Sequence, residues 1–184
     1  MTQEPKESHV VVSPRGSLRD FPSRTDAGTY KEITADQARF LVSWAKAYGL
    51  DAWLGHVCFI FGKPYFQVSG RIFNAHRSRM FGGMATRPLG EEAVTHAGFK
   101  PGDYVWEAEV WRKDWDRPVV ELGVVTQEEI ERLKQEKPES ARFLPVVKVP
   151  SLMAEKRALA RALDRAFPLG LDLAEEMPQT EETS

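Results

Sequence analysis

From Asp103 to Val125 the chain reads DYVWEAEVWRKDWDRPVVELGVV, and this run restricts the possible folds more than any other. Two strands are predicted, Tyr104–Arg112 and Pro118–Val125, joined by a charged turn around Asp114–Arg117. Side chains alternate across a strand. Tyr104, Trp106, Ala108 and Val110 therefore share one face, and Val105, Glu107, Glu109 and Trp111 the other. The first face needs a cover, while the second is partly solvated, as in antiparallel sheets.

The stretch PSLMAEKRALARALDRAFPLG, residues 150–170, can supply that cover. It reads as one amphipathic helix with Ser151 as N-cap and Pro168 and Gly170 ending it. On a wheel of about 100° per residue, Leu152, Leu159, Leu163 and Ala166 point one way. Arg157, Arg161 and Arg165, four apart, point the opposite way. The expectation is a Leu seam on a core and a cationic ridge outside. Arginine is also an ordinary helix former on solvated faces, and Glu155 and Asp164 partly balance the ridge.

Earlier elements follow from local chemistry. Thr34 and Gln37 form a capping-box pattern ahead of Phe40, Leu41, Trp44 and Tyr48, and Gly49 is the stop. His56–Phe61 and Tyr65–Val68 are strand-like runs around a turn at Gly62, Lys63 and Pro64. Ser69 is read as the cap of a helix carrying Arg71, Arg77 and Arg79 on a basic side. FGGMATRPLG after it reads as a short extended piece with a glycine hinge, and Glu91–Ala97 as a helical turn. Thr126 and Glu129 make a second capping box opening a helix to about Lys137, and 138–149 is a connector. Strands do not alternate with crossover helices, so the expected class is α+β: an antiparallel sheet of hairpins with helices packed on one face. Residues 1–29 read as a flexible N-terminal arm containing the short run HVVV, 30–171 as one oligomer-forming core domain, and 172–184 as a disordered acidic tail.

Of the 27 acidic residues, five follow Leu171, where no Lys or Arg occurs; before it stand 25 basic against 22 acidic residues, a net of +3. A mildly basic body with an acidic tail leaves nucleic acid open as a partner. The single cysteine, Cys58, excludes an internal disulfide. No apolar run is long enough to cross a membrane and the first residues do not read as a signal peptide, so a cytoplasmic protein is the expectation.

Candidate chemistry divides three ways. No glycine-rich phosphate loop with Lys and Ser/Thr is present, so ATP use is not expected. Glu107, Glu109 and Glu121 could converge on a divalent metal pair in a nuclease, although Arg112, Lys113 and Arg117 are interleaved with the acids. His56 and Cys58 share a strand face but lack a third catalytic member. The basic residues are better organised: Arg71, Arg77 and Arg79 on one helix, and Lys148, Lys156, Arg157, Arg161 and Arg165 on and before the last. Two such helices on a sheet could flank a groove for a phosphate backbone, with aromatics to accept bases. A purely structural, oligomer-forming domain is the third reading.

Three segments in order resemble the RecT and lambda Red beta group of phage single-strand annealing proteins. They are GLDAWLGHVCFIFGKPYFQVSGRIFNAH, DYVWEAEVWRKDW and MAEKRALARALDRAF. The resemblance implies a protein that binds single-stranded DNA and anneals complementary strands without ATP, as a ring or helical homo-oligomer in the bacterial host cytoplasm. It implies backbone contacts from Arg157 and Arg161, with Arg71 to Arg79 as a nearby basic helix. It implies no cofactor beyond Mg²⁺ as a modulator of DNA binding. A phage exonuclease or a host single-strand binding protein is the implied partner.

Overall fold

The computed structural model describes residues 21, 24–29, 31–136, 138–139 and 141–169. The HVVV run, Gly170 and the acidic tail 172–184 lie outside them. The chain divides into two compact units, Met1–Gln67 and Val68–Ser184. The class is mixed α+β, as the element order predicts.

In the first unit, α1 (Ala35–Ala47) opens on the full capping box: Gln37 N–H donates to Thr34 Oγ1 at 3.2 Å, and Thr34 N–H to Gln37 Oε1 at 2.8 Å. It ends at Gly49, whose φ is 66°. Strands β1 (Val57–Ile60) and β2 (Lys63–Phe66) pair antiparallel, with Val57 opposite Phe66 and Ile60 opposite Lys63. Trp44 stacks on Phe66 at 4.2 Å. The turn is Phe61–Gly62, so Lys63 and Pro64, expected in the turn, belong to β2. Both turn residues have positive φ, 51° and 74°. Such a two-residue turn matches the twist of a hairpin but costs a residue with a Cβ about 1–2 kcal/mol.

Asp26 offsets that cost. Its buried carboxylate accepts from the amides of Phe61 at 2.9 Å, Gly62, Gly28 at 2.7 Å and Thr29 at 3.1 Å. Burial alone raises this carboxyl, but the amides of Gly62, Gly28, Thr29 and Phe61 outweigh it and hold it below its ordinary value. Gly28 lies where a Cβ would meet the Phe61 ring at 2.6 Å. Phe21 is buried too, edge-on to Trp53 at 5.1 Å. Asp26 and Phe21, assigned from sequence to the flexible arm, are thus packed parts of the fold.

In the second unit, β3 (Phe81–Pro88), β4 (Tyr104–Arg112) and β5 (Val119–Val125) form an antiparallel sheet with β4 central. The piece expected to be short and extended with a glycine hinge is an eight-residue strand. Gly82 and Gly83 mark an irregularity in its register against β4. Helix α2 (Val68–Arg77) begins before Ser69, which is not its cap. Short α3 (Glu91–His96) connects β3 to β4, and α4 (Gln127–Glu136) follows β5. A 3-10 turn, Ala141–Phe143, and the four-residue α5 (Pro145–Lys148) lead into α6 (Pro150–Ala166).

Helix α6 covers the predicted face of the sheet, but by a different stripe. Ala154, Ala158, Ala162 and Ala166 are buried, whereas Leu152 is exposed. Opposite them on β5 is Gly123, where a Cβ would collide with Ala154 O and Ala158 N and lie 2.9 Å from Ala158 Cα. Backbone meets backbone there, which excludes leucine from the contact. Leu163 still packs, with Ala75, Ala108 and Val110. Ser151 is not the N-cap, because the helix begins at Pro150; its hydroxyl accepts from the Trp106 indole at 2.9 Å.

Gly123→Ala should lower unfolding stability by about 3 kcal/mol or more, since only separation of helix from strand can relieve the overlap. Chemical denaturation measures it. Stability should also fall with acid in two stages. Burial depresses the His56 imidazole, against the opposing charge of Asp51, and its Nδ1 accepts from Asp51 N–H at 3.1 Å. The unfolded chain takes that proton first, so stability drops as pH falls below about 6.5. The Asp26 contribution is complete above its ordinary 3.8 and is lost as pH falls through its lower folded value. Thermal unfolding from pH 8 to 3 shows both stages in the parent, and Asp26→Asn diminishes the second, to which Asp114 beside Arg112 also contributes.

Candidate nucleic-acid interface

Strand β5 is a sheet edge, and edge strands present backbone groups that need partners. Helix α6 supplies them. Arg157 donates to Val124 O at 2.6 Å and Arg161 to Leu122 O at 2.9 Å. Four residues of helix advance about 6 Å and two of strand about 7 Å, so the i, i+4 spacing matches alternate carbonyls. One turn further on, Arg165 forms an ion pair with Glu121. Arg157 also forks onto the Glu129 carboxylate at 2.8 and 2.6 Å. Glu129 N–H completes half of the predicted capping box, donating to Thr126 Oγ1 at 3.0 Å, while its carboxylate turns to Arg157.

Arg71 is committed as well. Its Nε lies 2.8 and 2.9 Å from the two Asp164 oxygens, with side chains 11% and 18% exposed, joining α2 to α6. The expected ridge facing a trough is therefore corrected. Arg71, Arg157 and Arg161 fasten helix to sheet and helix to helix. Arg165 is paired, yet its side chain remains 64% exposed. Lys148, Lys156, Arg77 and Arg79 are exposed. Arg79 does not extend the basic helix: it follows the end of α2 at φ 62°, and its carbonyl accepts from Lys113 Nζ at 3.3 Å.

The three carboxylates of the nuclease reading are separated. Glu121 pairs with Ala108 across the hairpin and lies on the α6 side, bound to Arg165. Glu107 and Glu109 lie on the other side, beside Arg87 at 2.5 and 3.8 Å. The described residues contain no cluster of three metal-ligating side chains. Cys58 Sγ accepts from Gln67 Nε2 at 2.7 Å and His56 Nδ1 from the Asp51 amide, so each is engaged away from the other.

One stretch with exposed cations was missed by the sequence reading. Between Glu139 and Glu155 the chain has no acidic residue. Within that interval Arg142, Phe143, Lys148, Val149 and Leu152 are exposed, and Lys156 follows on the next turn of α6. The absence of acid was visible beforehand; that these residues lie outward was not. No described helix is long and apolar enough to cross a membrane.

No protein-family model matches this chain, and no curated protein matches it.

The roles can be separated by substitution. Arg157→Ala leaves the Glu129 carboxylate and the Val124 carbonyl short of a donor and should cost about 2 kcal/mol of stability. Arg157→Lys should recover only part of this, because an ammonium lacks the fork. Lys156→Ala should stay within about 0.5 kcal/mol of the parent. Urea denaturation of the three variants gives the comparison.

Proposed function

We propose that this chain binds single-stranded DNA and anneals complementary strands without ATP, acting as a homo-oligomer in a bacterial cytoplasm. The observation that carries the reading is the stretch from Arg142 to Ala154, which holds no acidic residue and exposes Arg142, Phe143, Lys148, Val149 and Leu152, with Lys156 exposed just beyond Glu155. Single strands are held by such a combination, cations for phosphates and rings for bases. The three ordered segments that resemble the RecT and Red beta group support it. Lys148 and Lys156 take the roles first assigned to Arg157 and Arg161, with Arg165, Arg77 and Arg79 as further exposed cations.

The mechanism is electrostatic. Neutralising the phosphates of one strand leaves its bases free to pair with a second, and no nucleotide hydrolysis is needed. Repetition of a weak contact along an oligomer multiplies it by effective concentration. Mg²⁺ enters only as a modulator. An exonuclease that produces the single strand, or a host single-strand binding protein that holds it, would act beside this chain.

Two complementary oligonucleotides should anneal faster with the protein than without it, at low salt and without ATP. Lys148→Ala with Lys156→Ala should weaken binding to all sequences alike. It should also flatten the dependence of log affinity on log salt by about 0.7 for each phosphate contact removed. A double variant that binds and anneals like the parent puts the interface elsewhere. A parent that neither binds nor anneals ends the proposal. Cleavage of the oligonucleotide with Mg²⁺ or Mn²⁺ would point to the nuclease reading instead.

A further inference from the structure

Three chain segments meet at the C-terminal end of α6. Arg112 donates to Ala166 O at 2.8 Å, and Asn74 to Phe167 O at 3.0 Å. Lys113 N–H reaches Met80 O at 2.8 Å, and Lys113 Nζ reaches Arg79 O at 3.3 Å. The end of α2, the start of β3 and the turn after β4 are thereby gathered around the last turn of the helix. Arg79, Lys113 and Arg117 are exposed, and no carboxylate among the described residues pairs with them. Of the two acids in the turn, Asp114 is held by Arg112 at 2.9 and 2.8 Å, and Asp116 is exposed next to Arg117. Met80, which follows Arg79, is 42% exposed. Cations free of carboxylates and an open apolar side chain thus share one end of the unit.

The chain leaves α6 at this same end, where Phe167 is held and the described residues stop at Leu169. The sequence that follows, GLDLAEEMPQTEETS, has five carboxylates, no Lys or Arg, and Leu171, Leu173 and Met177 interspersed. Asp172 falls within about 11 Å of Leu169, and Glu175 and Glu176 within about 25 Å. We infer that this acidic segment docks, within its own chain, on the cationic end of α6 formed around Arg79, Lys113 and Arg117. Its carboxylates match the cations, and its apolar residues match Met80. So short a tether holds it at an effective concentration near the millimolar range, above that of a second chain. Lys156 and Lys148 are the competing cations, but Lys156 stands about 15 Å back along the helix and Lys148 beyond it. A phosphate backbone also meets cations, yet it has no apolar groups to set against Met80. The docking does not require the function proposed above; where that function holds, the segment competes with DNA for this end.

The test is zero-length carbodiimide coupling in the full chain, read by peptide mass spectrometry. Lys113 should couple to Asp172, Glu175 or Glu176 at low salt. The yield should fall roughly fivefold at about 1 M salt, where the screening length is about 3 Å. It should fall similarly in Arg79→Gln with Arg117→Gln. A mixture of isotopically light and heavy chains should give couplings within chains only. Coupling to Lys148 or Lys156 instead, coupling between light and heavy chains, or no coupling at all overturns the docking. The full chain with Asp172→Asn, Glu175→Gln and Glu176→Gln should bind labelled oligothymidylate about fivefold more tightly than the parent at low salt, a gap that closes as salt rises. Equal affinity at low salt also overturns the docking. If neither chain binds oligothymidylate, the DNA-binding reading fails and the coupling result alone decides the docking.

Discussion

At Gly123 the backbone of β5 lies against the backbone of α6, with no strand side chain between them. The rest of the second unit is arranged to allow this approach. Alanine recurs every fourth residue along α6, so the helix presents methyl groups where larger side chains would hold it away. Because the helix sits so low over the hairpin, its arginines reach past the sheet surface to the edge of β5. The same closeness lets Trp106 bond Ser151 and Thr86 bond Glu155, both at 2.8–2.9 Å. At the far end of the helix, Arg112 donates to Ala166 O at 2.8 Å and Asn74 to Phe167 O at 3.0 Å, meeting carbonyls that a helix end leaves open.

Charge on this helix is divided by chemistry. A guanidinium has several donors in a planar fork and can serve a carbonyl and a carboxylate together, as Arg157 does. An ammonium is a compact, strongly hydrated charge on a flexible stem, and Lys148 and Lys156 remain at the surface. Of the five arginines on α2 and α6, Arg71, Arg157 and Arg161 are thereby drawn into structure. The lysines, with Arg142, are exposed and make up the interface proposed above. A cationic stripe read from spacing counts both kinds together, since i, i+4 spacing is as suitable for alternate strand carbonyls as for phosphates.

Local signals were legible where the partner lies within a few residues. The capping box at Thr34, the stop at Gly49 and the bounds of β4 and β5 all follow from nearest neighbours and period-two alternation. The missed elements depend on distant ones. Gly82 and Gly83 made β3 look like a hinge, and only pairing with β4 makes it a strand. Asp26 looked like part of an arm, and only the amides of Phe61 and Gly62, 35 and 36 residues away, make it a buried hub.

By itself the sequence determined the α+β class, the two-faced hairpin at its centre and the existence of a long amphipathic C-terminal helix, because periodicity and turn chemistry act over short range. Tertiary structure alone decided which side of that helix is buried, which cations are consumed and which carboxylates share a face. Those outcomes turn on how closely two backbones can approach, and that distance is set by a glycine and an alanine some thirty residues apart in the chain, which no local pattern connects.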